Sequence, residues 1–162
     1  KAGESILLDT EMNGMLIESR LQPGGRDLWL LSTGTGVAPF VAIVSDESIM
    51  NKYERVFLVH GVRNWNETQY LQHVLKLQPK LRVMASVTRD AGALIDVRIP
   101  DALESGLLEA TAEAEITPQA SRVMLCGNPA MVKAVRAAMR ARGIVSPRNG
   151  EPGQLLAENF WL

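Results

Sequence analysis

The sequence predicts an α/β fold, a doubly wound parallel sheet flanked by helices, on three observations. Four short runs are almost continuously apolar, the pattern of strands buried on both faces. Longer stretches between them repeat apolar residues at helical spacing, and Gly, Pro and Asn punctuate the boundaries. Strands alternating with helices in this way place helices over both faces of a parallel sheet.

Ser5-Ile6-Leu7-Leu8-Asp9 reads as a short strand, and Asn13-Gly14 and Pro23-Gly24-Gly25 read as turns. These first residues stand outside the alternating unit and look like the last strands of an all-β domain. The chain is therefore divided into residues 1–25, the end of a β domain whose earlier part is missing, and residues 26–162. Lys1 in place of an initiator Met also points to a piece of something larger. Asp27-Leu28-Trp29-Leu30-Leu31-Ser32 is the first buried strand, and a helix is expected from Val37 to Val44. Arg55-Val56-Phe57-Leu58-Val59-His60 is the second strand, followed by a helix from Asn66 to Leu77 that holds His73 on its surface or in its packing. Leu81 to Val87 is the third strand, with a helix from Ile99 to Leu108 after it, and Arg122 to Cys126 is the fourth.

The last helix, Pro129 to Arg142, is the best defined. Asn128 is a suitable N-cap, and Pro129 falls at the first helical position, where its missing N–H costs nothing. Met131, Val132, Val135, Ala138 and Met139 form one apolar stripe. Lys133, Arg136, Arg140 and Arg142 complement the helix dipole, and Gly143 ends the helix. The terminal Leu155 to Leu162, with Phe160 and Trp161 adjacent, reads as a docked tail.

A chain of 162 residues suits one domain of ordinary size. Its 17 basic and 18 acidic residues give a net charge of -1, without the positive excess that nucleic acid or an anionic membrane requires. No apolar run approaches the ~20 residues of a membrane span, and the N-terminus lacks a signal-peptide pattern. The single cysteine, Cys126, allows neither an internal disulfide nor a CxxC metal site, so no metal is expected and a reducing, cytoplasmic setting is.

Ser32-Thr33-Gly34-Thr35-Gly36-Val37-Ala38-Pro39-Phe40 follows the first strand and opens the first helix. Such a turn brings backbone N–H groups against a phosphate at the positive end of a helix. Pro39 stands where the common dinucleotide fingerprint has its third glycine, and a turn that merely needs small residues has the same composition. The second strand ends in His60-Gly61-Val62-Arg63, a basic residue where an NAD site has an acid for the ribose 2′-OH. The third ends in Val87-Thr88-Arg89, and Arg98 follows before Ile99-Pro100. Guanidinium groups at two successive strand ends can clamp a 2′-phosphate, although any one of them alone reads as a surface residue. Gly127, directly after the fourth strand, permits close approach of a flat ring. Cys126 reads equally as a small buried hydrophobe. At the C-terminus, an aromatic ring stacked on a flat cofactor, with Glu158 nearby, is the sharper alternative to simple packing.

Together these motifs, with Val123-Met124-Leu125-Cys126-Gly127-Asn128-Pro129-Ala130-Met131 and the aromatic terminus, resemble the C-terminal NADP-binding domain of bacterial ferredoxin (or flavodoxin)–NADP reductases. The resemblance covers nearly the whole chain in the family's order and spacing, while single motifs are shared with related flavin reductases. It implies a Rossmann-like domain with a five-stranded parallel sheet, preceded by the last strands of an FAD-binding β-barrel. It implies NADP and FAD as cofactors, ferredoxin or flavodoxin as partner, and a monomer. The turn containing Thr33, Gly34, Thr35, Gly36, Val37 and Pro39 would hold the pyrophosphate, and Arg63, Arg89 and Arg98 the 2′-phosphate. Cys126 and Gly127 would lie beside the nicotinamide, with Asn128 and Met131 also at the cofactor. Glu158 resembles a carboxylate assigned to proton transfer, Phe160 would stack on the isoalloxazine, and Trp161 would lie over the adenine side of FAD. Two features depart from the family: the barrel's Arg-x-Tyr-Ser-type motif is absent, and Leu162 follows Trp161. Competing expectations are a reductase component of an oxygenase, an NADP-binding fragment inactive on its own, and a nucleotide-binding regulatory module without redox chemistry.

Overall fold

Strand β1 (Asp27–Thr33) is the spine of the fold because its side chains serve two cores at once. In this computed structural model, which describes residues 3, 5, 14–69, 71–75, 78 and 80–159, Trp29 and Leu31 face one helical layer and Leu28 and Leu30 the other. All four are fully buried. Strands β2 (Arg55–Val62), β3 (Leu81–Val87), β4 (Ser121–Gly127) and β5 (Leu155–Asn159) join it in one parallel sheet of order β3-β2-β1-β4-β5. The expected doubly wound, five-stranded arrangement is thus observed.

The first face is covered by α1 (Ala38–Ser45), α2 (Glu47–Met50) and α3 (Leu71–Leu75), through Phe40, Val44, Met50, Leu71 and Val74. The second is covered by α4 (Ile99–Glu104), α5 (Leu107–Ala112) and α6 (Pro129–Ala141), through Ile99, Leu103, Leu108, Val132, Val135 and Met139. Trp29 stacks on Phe57 across β1 and β2, with ring centroids 4.2 Å apart. The α6 boundaries follow from the sequence: the Asn128 side chain accepts from Ala130 N–H at 2.8 Å, and Pro129 opens the helix.

Three expected elements differ. The helix expected from Ile99 to Leu108 is two helices, because Gly106 adopts φ 78° and the Ser105 hydroxyl turns back onto the Asp101 carbonyl. In place of one helix from Asn66 to Leu77 there is a 3₁₀ turn, Trp65–Thr68, before α3; the Thr68 hydroxyl closes that turn on the Trp65 carbonyl at 2.6 Å. The segment read as a docked tail supplies β5, whose Leu155 and Leu156 are buried one on each face. Most of the Ser5 to Asp9 strand, Asn13 and the side chain of His73 lie outside the described residues.

From 14 to 25 the chain runs along the sheet as a 3₁₀ turn (Glu18–Arg20) and a bridge of Leu21 to Gly153. Arg122, only 3% exposed, holds this segment. Its guanidinium donates to the carbonyls of Gln22 at 2.6 Å, Pro23 at 3.0 Å, Ser121 at 2.8 Å and Pro118 at 3.3 Å.

Candidate nucleotide-binding cleft

The sheet reverses its winding between β1 and β4. From β1 the chain moves outward to β2 and β3, then returns past β1 to add β4 and β5. Connections leaving the carboxyl ends of β1 and β4 go to opposite faces, which opens a crevice above them, the place where sheets of this kind bind ligands.

Two glycines bring the lips of this crevice together. A Cβ on Gly36 would lie 2.5 Å from the Cys126 carbonyl oxygen and 2.7 Å from Gly127 Cα, and one on Gly127 would run into the Thr33 backbone. Asn128 N–H then donates to Thr33 Oγ1 at 2.9 Å and ties the lips. Gly34 has the opposite environment: its φ is 53° and nothing lies within 4 Å of where its Cβ would be. The Gly34–Val37 turn, running into α1, therefore presents Gly34 and Thr35 to open space while Gly36 and Val37 are buried. Pro39, half-buried, stiffens the second position of α1.

Beside the turn lies a cleft of about 390 Å³ lined by Gly34, Thr35, Val37, Ala38, His60, Val62 and Glu67. His60 is 4% exposed and its Nδ1 lies 2.9 Å from Ser32 Oγ. The Ser32 hydroxyl also lies 3.3 Å from the Val59 carbonyl oxygen, so its one proton has two partners, the imidazole and that carbonyl. Burial lowers the His60 pKa to about 4, against an opposing pull from Glu67, so the imidazole is neutral near pH 7.

Strand register sets Glu158, Cys126, Ser32 and His60 in one row across four strands. Burial, with a contribution from the Glu158 charge, pushes the Cys126 thiol up to about 11, so it is a protonated, uncharged group. The Glu158 carboxylate accepts from Met15 N–H at 3.3 Å.

The arginines sort by sheet edge. At the amino ends of the strands they are engaged: Arg55 and Arg26 pair with Asp27, at 2.6 and 3.1 Å, and Arg82 reaches the Ala112 carbonyl at 3.3 Å. At the carboxyl ends Arg63, Arg89 and Arg98 are exposed, with no ion pair or side-chain hydrogen bond among the described residues. Arg89 N–H donates to the Arg63 carbonyl at 2.8 Å, which sets the two residues side by side. Arg98 returns to the same edge at the N-cap of α4, where Ser86 Oγ holds the neighbouring Val97 carbonyl at 2.6 Å.

Of the expected site residues, the structure brings the G-T-G turn, Gly127 and Asn128 together at the crevice and gathers the three arginines at the adjoining strand ends. The Asn128 side chain is spent on capping α6, and Met131 is 6% exposed in the core beneath that helix, away from the cleft. Phe160 and Trp161 lie outside the described residues. The Ser32–His60 pair, Glu67 and Asp90 were not anticipated; a histidine ending an apolar strand was the available signal for the first. Among the described residues no cluster of acids, His and Cys is placed to hold a metal ion, and no helix is long and apolar enough to cross a membrane.

Comparison with known proteins gives a consistent picture. The oxidoreductase NAD-binding domain family matches residues 30–137. Ferredoxin–NADP reductase A of Sorangium cellulosum is 39% identical over 96% of this chain and 60% of its own length. Ferredoxin–NADP reductase of Azotobacter vinelandii is 36% identical over 100% of this chain and 67% of its own. A ferredoxin–NADP+ reductase from Neisseria gonorrhoeae, solved with bound FAD and NADP, superimposes with a TM-score of 0.85 at 33% identity, covering 92% of this chain and 61% of that one. The chain thus spans about three fifths of the length of the first of these relatives.

Proposed function

The chain belongs to the ferredoxin–NADP reductase family, whose NAD-binding domain it carries, and on that premise we propose that it transfers hydride between NADPH and FAD and exchanges single electrons with ferredoxin or flavodoxin. The observation that carries this reading is the arrangement at one sheet edge: an open G-T-G turn at the crevice and, beside it, three exposed arginines without a side-chain partner among the described residues. Residues 1–25 are proposed as the end of an FAD-binding barrel, residues 26–162 as the NADP-binding domain, and the protein as a cytoplasmic monomer.

The residues present fit a nicotinamide dinucleotide phosphate. The space over Gly34 and the N–H groups opening α1 suit a pyrophosphate, and the exposed arginines suit a further phosphate two strands away. When bound, NADPH supplies the hydride, and FAD accepts it and divides the electron pair. The protein contributes position and electrostatics. Thr33, Gly34, Thr35 and Gly36 with Val37 and Pro39 shape the pyrophosphate turn. Arg63, Arg89 and Arg98 grip the 2′-phosphate and reject a cofactor lacking it. Gly127, without a side chain, lets Thr33 close against the end of β4 beside the nicotinamide, and the neutral Cys126 thiol packs against the ring without competing as a nucleophile. Glu158 is proposed to pass a proton at its carboxylate, Phe160 to stack on the isoalloxazine and Trp161 to lie over the adenine side of FAD.

Calorimetric titration of the chain with NADP+ and with NAD+ tests the proposal. Binding of NADP+ at least tenfold tighter, about 1.4 kcal/mol, supports it. Equal affinities would remove the 2′-phosphate role of the arginines. Loss of preference in Arg89→Ala, with NAD+ binding retained, assigns that role to the named residue.

A further inference from the structure

Three polar side chains that the proposed reaction does not use lie between the two arginine-bearing loops, and every one is spent on the loops themselves. Asn64 caps the 3₁₀ turn after β2: its side chain accepts from Glu67 N–H, while Glu67 Oε1 accepts from Asn64 N–H at 3.0 Å and Arg63 N–H at 3.2 Å. The same Asn64 amide reaches across to the other loop, donating from Nδ2 to Asp90 Oδ1 at 2.8 Å. Asp90 Oδ2 accepts from Trp65 N–H at 2.7 Å, and the Trp65 indole donates to the Ala91 carbonyl at 3.1 Å. Both arginines are thus flanked: Arg63 by Asn64 in sequence, Arg89 by Asp90, with the backbone bond between them closing the ring.

We propose that Asn64 and Asp90 form a latch between the β2 and β3 loops that holds Arg63 and Arg89 at the spacing a 2′-phosphate requires, making them positioning residues for cofactor choice. The inference rests on the reading of those arginines as the 2′-phosphate grip. Two carboxylates beside an anion site oppose anion binding by their charge. Their placement is explained by what they hold: Asp90 is committed to two donors and Glu67 to two backbone N–H groups, and Asp90 is kept ionised below the usual carboxylate range by the Trp65 N–H first and the Asn64 amide second. Asn64 is suited to the latch because one end of its amide accepts within its own turn while the other donates outward; a carboxylate cap does the first and not the second.

This chemistry supplies a test in which charge and geometry predict opposite signs. Asp90→Asn removes a negative charge near the phosphate, so a purely electrostatic role predicts tighter NADP+ binding. It also sets one amide NH2 against another, so the latch predicts weaker binding. Asn64→Asp keeps a good N-cap but opposes two carboxylates. The double variant Asn64→Asp/Asp90→Asn restores every bond with the roles exchanged and the net charge unchanged. Each single variant of the full chain is expected to weaken NADP+ binding about tenfold in calorimetry, with NAD+ changed less than about twofold, and the double variant is expected to recover NADP+ binding to within about threefold. The latch is overturned if Asp90→Asn binds NADP+ as well as or better than the parent chain, if NAD+ falls equally, or if the double variant fails to recover while its melting temperature matches the parent. Arg89→Ala measured alongside separates the two ideas: no NADP+-specific loss there removes the arginine reading itself, whereas such a loss with unaffected latch variants removes only the latch.

Discussion

Gly34 and Gly36 are two residues apart in one turn, yet alanine at each should fail for different reasons. At Gly36 the new methyl would start 2.5 Å from the Cys126 carbonyl oxygen, 2.6 Å from its carbon and 2.7 Å from Gly127 Cα, all backbone atoms that cannot rotate aside. Ordinary contact requires the turn and β4 to separate by roughly 0.9 Å, which also stretches the bond from Asn128 N–H to Thr33 Oγ1. Overpacking of this kind costs about 1–3 kcal/mol, and the lost tie adds about 1 kcal/mol. At Gly34 the methyl meets no atom within 4 Å, and the cost is the left-handed backbone at φ 53°, about 1–2 kcal/mol. That methyl occupies the face where phosphate oxygens would approach the turn, so the same change should weaken NADP+ binding by about 1.5–3 kcal/mol, the scale of one charged hydrogen bond. Urea denaturation and calorimetry on both variants read the two effects separately. Gly36→Ala should be the less stable and Gly34→Ala, corrected for folding, the weaker binder. Similar stabilities with unchanged NADP+ affinity in Gly34→Ala would refute the division of labour within the turn.

Other expectations follow from the buried groups. Arg122→Met should destabilise the chain by about 1–3 kcal/mol for each carbonyl left unsatisfied, since it takes the donor away from four carbonyls, and should expose residues 14–25 to protease before the sheet unfolds; simultaneous loss of both would refute a local staple. His60 titrates at about 4 in the fold and near 6.5 unfolded, so the unfolded chain binds the extra proton between those values. Stability is then full above pH 6.5 and falls by up to about 3 kcal/mol as the pH drops to 4, a slope that His60→Gln should flatten in urea titrations at fixed pH. With its thiol near 11, Cys126 should resist iodoacetamide at pH 7.5 in the folded chain and react on unfolding, and rapid labelling of native protein would contradict the burial.

Strand and core positions were legible because a doubly covered parallel sheet leaves a direct trace, the unbroken apolar run. All four runs named from sequence are strands, and the α6 cap and stripe fall where Asn128 and Met131, Val132, Val135 and Met139 put them. Where one element was read for two, a glycine or a hydroxyl outweighed periodicity. Leu107 and Leu108 continue the apolar stripe of α4 in sequence, but Gly106 turns the chain before they are reached. β5 was read as a tail because Leu155-Leu156-Ala157 is too short to separate from ordinary docking without its partner β4. At the site, composition alone pointed to glycines and arginines. It did not reveal that Gly36 serves packing and Gly34 exposure, since that difference depends on β4 being present. Nor did it reveal the Asn64–Asp90 contact, which joins residues 26 apart through a loop geometry that no local pattern encodes.

The stitch between Thr33 and Asn128 spans 95 residues of chain. β1, β2 and β3 can pair through neighbouring segments, but the crevice has only one wall until β4 has been made and inserted beside β1. Closing so long a loop is among the slower and entropically more costly steps of assembly. A ribosome part-way through this domain would therefore hold a chain with its arginines in place and no second lip to its pocket. Cofactor present during synthesis stabilises only molecules that have completed this step, by mass action on the finished fold. The proposed nucleotide affinity would then also separate correctly wound chains from partly assembled ones.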